Sequence, residues 1–116
     1  MTNTSLDQQE TVVRRVNEAI ERGFWPGDVE TVVRMRCECG RDECADFVRM
    51  RVAEYERLRD HPRRFVLCTG HDTPAIERVV SECDGYVVVE KTGTAGAVAE
   101  DSDPRHGVRG REETSP

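Results

Sequence analysis

Apolar residues return at three- and four-residue steps through the first part of the chain: Val12, Val13, Val16, Ala19, Ile20 and Phe24. Glu10, Arg14, Arg15, Glu18, Glu21 and Arg22 fill the positions between them. The spacing therefore predicts an amphipathic helix with its valines against a core and its charges in water. Ser5 with Gln8, or Asp7 with Glu10, can cap the start, and Gly23 with Pro26-Gly27 ends the helix. Phe24 and Trp25 then stand at the exit as a hydrophobic lid.

From Glu30 the period falls to two. Val33, Met35 and Cys37 share one face of a strand, and a second β-rich piece over residues 47–52 partners it, with Phe47 or Val48 beginning the inner face. Arg34, Arg36, Arg49 and Arg51 project from the opposite face. Residues 53–59 read as a short helix stopped by His61-Pro62, and residues 64–68 as a third strand. Thr73-Pro74 is a helix start, and Ile76, Val79, Val80 and Cys83 keep helical spacing up to Asp84-Gly85. The competing reading is a hairpin that turns on Asp84-Gly85 into a strand over residues 86–90. After Lys91 the composition shifts to glycine, alanine, threonine, proline and charge without an apolar period, which predicts a disordered tail.

These elements predict a small single domain of α+β class with an N-terminal helix and about four strands. Its expected limits are a flexible N-terminus over residues 1–10, a domain over 11–91 and a tail over 92–116. Apolar residues make up 36% of 116 positions, so the core is thin and a bound metal is a sensible supplement. The 23 acidic and 17 basic residues leave a net charge of -6, which weighs against nucleic acid as a partner. No apolar run reaches the roughly 18 residues of a membrane span, and the first residues lack a signal-peptide pattern. A cytoplasmic protein with no membrane association is expected.

The chemistry concentrates in Cys37-Glu38-Cys39-Gly40-Arg41-Asp42-Glu43-Cys44, at the tip of the first hairpin. In a reducing compartment, clustered thiols point to metal ligation or redox chemistry before a disulfide framework, and the odd count of five cysteines agrees. Zinc takes four tetrahedral ligands from sulfur and imidazole, and Gly40 permits the tight turn that returns Cys44 toward Cys37 and Cys39. The fourth ligand must come from elsewhere. His71 is the favoured choice, since it follows the third strand directly, beside Gly70, as a neutral imidazole. Cys68 and Cys83 compete, although both sit where a cysteine serves as a small core residue, and His61 lies in a charged, exposed segment.

Cys37-Glu38-Cys39 with Cys44, the run from Ala53 to Arg57, Gly70-His71 and the run from Tyr86 to Lys91 together resemble a family of small uncharacterised proteins of high-GC soil bacteria and actinobacteria. The resemblance covers residues 12–91, and it implies that His71 belongs with the thiols. It implies no reaction. The leading expectation is a structural zinc site in an interaction or regulatory module with a protein partner, not an enzyme. The alternatives are a thiol-based redox or metal sensor, with Cys68 or Cys83 as resolving thiol, and less favoured a zinc hydrolase with Asp72 or Glu38 as base. A Cys68–His71 nucleophilic pair and DNA binding by the arginine stripe stand lowest, and no His-Glu-x-x-His element is present.

Overall fold

The computed structural model describes residues 6–41 and 43–105. The elements follow as α1 (Leu6–Arg22), β1 (Val32–Arg36), β2 (Phe47–Arg51), α2 (Val52–Leu58), β3 (Arg64–Cys68), β4 (Glu77–Cys83), β5 (Tyr86–Lys91) and α3 (Gly93–Asp101). The α+β class is as the sequence predicts. β1 and β2 form an antiparallel hairpin, and β3, β5 and β4, in that spatial order, form a second antiparallel sheet. Among the described residues no helix is long and apolar enough to cross a membrane.

Alternation along β3 and β5 makes the three-stranded sheet apolar on both faces. Val66, Tyr86 and Val88 pack with Met35, Val48 and Met50 of the hairpin and with Val52, Tyr55 and Leu58 of α2. Phe65, Leu67, Val87 and Val89 face the other way, onto Cys37, Cys39 and Ala99. The thiols therefore sit where the hairpin tip closes over the sheet. Burying each large apolar side chain contributes roughly 1.5–3 kcal/mol, which holds the tip and the sheet together.

Three expectations fail. The first concerns the face of α1. Val12 is 60% exposed and Val16 42%, whereas Glu10, Arg14, Asn17, Glu18 and Glu21 are buried. These polar positions share one helical face, and each meets a partner inside the protein. The Arg14 guanidinium donates to the Pro62 and Ala99 carbonyls, both at 2.7 Å, and lies 4.3 Å from the Phe65 ring centroid. Lys91 pairs with Glu10 and Glu77. Arg59 pairs with Glu18 and Asp103, and Arg105 reaches Glu18 and Glu56. Charges that pair in this way can occupy an interior, so the polar stripe of α1 is its inner face.

The second concerns residues 73–83, where β4 replaces the expected helix. A hairpin turns on Asp84-Gly85 instead: Cys83 pairs with Tyr86 across it, with Gly85 at φ 89°. A register shift between Val79 and Ser81 breaks the strict alternation of a strand and leaves its apolar residues at helix-like steps. The third concerns the chain ends. α1 begins at Leu6, within the stretch 1–10 expected to be flexible, and α3 forms where the tail was expected to begin. Its buried residues, Ala95, Gly96 and Ala99, are too small to give a sequence an apolar signal, yet they allow close packing. Residues 1–5 and 106–116 lie outside the described residues.

Candidate metal centre

β1 delivers Cys37 at its end, and backbone bonds fix the turn that follows. The Cys37 amide donates to the Asp46 carbonyl at 3.0 Å, closing the base of the tip, and the Cys44 amide donates to the Arg41 carbonyl at 3.1 Å. Gly40 holds φ 75°, and a Cβ there would lie 2.7 Å from the Glu10 backbone nitrogen and from its Cγ. Only glycine satisfies both the dihedral and the close approach of α1. The end of β3 then meets the tip: the Glu38 amide donates to the Val66 carbonyl at 2.8 Å, and the Cys68 amide to the Cys37 Sγ at 3.2 Å.

His71 follows in a turn closed by its own amide on the Cys68 carbonyl, at 3.0 Å. Its Nδ1 lies 3.4 Å from the Cys37 Sγ and 3.7 Å from the Cys44 Sγ. The four donor atoms of Cys37, Cys39, Cys44 and His71 all lie within 4.8 Å of one another, close enough to bind a metal ion. Cys37 and Cys39 are buried, while Cys44 and His71 are half-buried. The Nε2 of His71 faces the Asp46 carboxylate at 3.7 Å, so a carboxylate stands behind the imidazole whose Nδ1 faces the thiols. Arg41 donates to the Thr73 hydroxyl at 3.0 Å and so ties the tip to the loop that carries His71.

Burial pushes the Cys37 and Cys39 thiols up to about 12, against weaker lowering by amide donors. Without a cation the pair stays protonated and is poorly nucleophilic, and a metal ion is the charge that would favour thiolates here. Cys68 is also raised by burial. It belongs to a second group, with Asp46 and His71, whose donor atoms lie within 4.8 Å of one another. Its sulfur contacts the Phe47 carbonyl at 3.8 Å. Cys83 and His61 are exposed, away from the cluster. Asp42, which the sequence places in the tip, lies outside the described residues.

Two residues acquire roles that the sequence reading did not give them. Glu38, between two thiols, is fully buried, and its carboxylate accepts from Asn17 Nδ2 at 2.8 Å, the Tyr55 hydroxyl at 2.8 Å and the Val66 amide at 2.9 Å. It fastens the tip to α1, α2 and β3. It cannot serve as a water-activating base, which removes one of the two carboxylates offered for a hydrolase. Asn17 completes the clamp, accepting from the Arg36 amide and donating to the Arg36 carbonyl, both at 2.8 Å. β1 ends at Arg36 and Glu38 stands in the turn after it, so strand alternation carries no signal for its inward aim.

The arginine stripe forms as expected. Val33, Met35, Val48 and Met50 are buried, while Arg34, Arg49 and Arg51 are exposed, and Arg34 stands opposite Arg49. Phe47 is 44% exposed, with the Arg34 guanidinium 4.4 Å from its ring centroid. Arg51 pairs with Glu30 at 3.7 Å. The lid is half formed: Phe24 packs on the core and Trp25 remains exposed. No protein-family model, no curated protein and no solved structure matches this chain.

Proposed function

We propose that the chain is a small zinc-binding domain in which Cys37, Cys39, Cys44 and His71 hold one structural zinc ion. The observation that carries this reading is the approach of His71 Nδ1 to two thiol sulfurs, at 3.4 and 3.7 Å. Zinc–sulfur bonds of about 2.3 Å and zinc–nitrogen bonds of about 2.05 Å in a tetrahedron would set sulfur and nitrogen about 3.6 Å apart. The donor set agrees, because three soft thiolates and one imidazole suit zinc better than hard, oxygen-preferring cations. Four protein ligands leave no position for a reacting water, so the domain acts by binding a protein partner and not by chemistry at the metal. Metal binding in such sites is worth on the order of 10 kcal/mol, comparable with the whole stability of a small domain.

Cobalt(II) substitution tests this directly. The protein loaded with cobalt is expected to show intense tetrahedral d–d bands with thiolate charge-transfer absorption, titrating to one equivalent. His71→Ala should shift the bands and weaken cobalt binding about tenfold or more, as loss of a ligand requires. Weak octahedral bands, or spectra unchanged in His71→Ala, would contradict the assignment. The redox reading keeps one observation in its favour: the Cys68 sulfur lies within 4.8 Å of a donor atom of His71, which places a spare thiol beside the cluster. It predicts that peroxide releases zinc at doses that spare exposed Cys83, and that Cys68→Ala abolishes reversibility; zinc retained under those doses excludes it.

A further inference from the structure

The outward face of α1 is apolar where an outward face is ordinarily charged. Val12, Val16 and Ala19 recur one turn apart, and all three are exposed. Arg15 and Arg22 flank them in solvent, while Glu10, Glu18 and Glu21 of the same helix are buried and paired inward. From Gln9 to the end of α1, no exposed side chain is therefore acidic. On one side the stripe runs into a cleft of about 260 Å³ lined by Val12, Val13, Arg36 and Arg41, with Cys37 and Cys44 of the metal cluster at its edge. On the other it borders a depression of about 240 Å³ edged by Arg15 and Arg22, where Glu18 is already held by Arg59 and Arg105.

We propose that this face docks an acidic amphipathic helix of a partner protein, whose apolar side chains cover Val12, Val16 and Ala19 and whose carboxylates meet Arg15, Arg22, Arg36 and Arg41. The proposal deepens the partner-binding reading above by naming the surface and the partner's chemistry. Charge complementarity selects the occupant. A protein of net charge -6 presents here an apolar stripe whose charged neighbours on the described part of α1 and along the cleft are guanidinium groups, which an acidic helix neutralises as its apolar face is buried. A second copy of the chain would set Arg15 and Arg22 against other arginines, a like-charge contact that opposes docking. Nucleic acid would take the charges and leave the valines uncovered.

The test uses the full zinc-loaded chain and a synthetic helical peptide of about five turns, leucine on one face and glutamate on the other. A twin peptide carries lysine in place of glutamate, and backbone amide shifts report binding. The glutamate peptide is expected to move amides of α1 and the hairpin tip, and the lysine peptide to leave them in place. Val12→Ser with Val16→Ser should weaken binding about tenfold, and Arg15→Glu with Arg22→Glu should transfer the preference to the lysine peptide. All four positions are exposed, so the variants should keep full zinc. No shifts, equal shifts from both peptides, tighter binding of a single-stranded oligonucleotide, or self-association through the same amides would each overturn the proposal. Zinc bound without peptide docking sinks this proposal alone, and docking by a protein that holds no zinc sinks the metal assignment alone.

Discussion

Glu38 illustrates how much one side chain can organise. Its carboxylate answers three buried donors at once, from Asn17, Tyr55 and Val66, and burial raises its pKa. Each donor left without a partner costs about 1–3 kcal/mol. Glu38→Ala is therefore expected to lower the urea-unfolding free energy of the metal-loaded protein by about 3 kcal/mol or more, with Glu38→Gln costing less because an acceptor remains. An unchanged midpoint in Glu38→Ala would remove Glu38 from the architecture of the tip. Glu21 makes the pH prediction. Burial, and next the hydrogen bond that the protonated Glu21 donates to the Glu56 carboxylate, raises it from 4.5 to about 8. The folded state thus holds a proton that the unfolded state releases, and stability from this group falls as pH rises from 4.5 through 8. Glu21→Gln mimics the protonated form, so at fixed metal saturation the variant should gain on the wild type steadily across that window. Parallel pH profiles would contradict the shift.

At the level of elements, α1 is the case where periodicity located the helix and misassigned its faces. An amphipathic pattern shows that two faces differ, and it says which one lies inside only if charges cannot be paired in the interior. Here Arg59, Lys91 and Arg105, distant in sequence, supply the partners, and no local pattern can announce them. The inverted packing makes opposite predictions for neighbouring residues. Val16→Lys should change stability by no more than about 0.5 kcal/mol, as an exposed substitution. Asn17→Ala should cost about 2 kcal/mol and loosen the end of β1, since the Arg36 amide and the Glu38 carboxylate lose a common partner. The reverse ranking would show that the valines face the core after all. Gly40→Ala belongs to the same scale: its positive φ and the contact with Glu10 predict a loss of about 2 kcal/mol or more, together with weaker metal binding. β4 was legible only as the second choice, because the register shift near Val80 disguised its alternation.

Across the whole molecule, the hairpin, the thiol cluster and His71 were readable because their signals are local: alternation, a glycine in a tight turn and ligand-type residues close together. The clamp that sets them against the sheet was not, since it runs through Asn17, Glu38, Tyr55 and Val66 from four separate parts of the chain. The same holds for the C-terminal region. α3 carries no apolar signal, yet Ala99 lies in the core beside the thiols, Asp103 pairs with Arg59, and Arg105 bridges Glu18 and Glu56. A chain ending at Lys91 keeps every proposed metal ligand but removes Asp103, one of the two buried carboxylates paired with Arg59, and takes Ala99 out of the core beside the thiols. It is expected to unfold at much lower urea concentration than the full chain, and a shared midpoint would show that the segment is dispensable.

The proposed four-ligand metal site joins the hairpin tip to the loop after β3. Its most direct test is native mass spectrometry of the protein purified without an affinity tag, comparing the wild type with Cys39→Ser and His71→Ala. One zinc ion per wild-type chain, diminished in both variants, is the result the proposed site predicts. A wild type free of metal even after incubation with zinc, its Cys37 and Cys39 open to alkylation in the folded state, would contradict it.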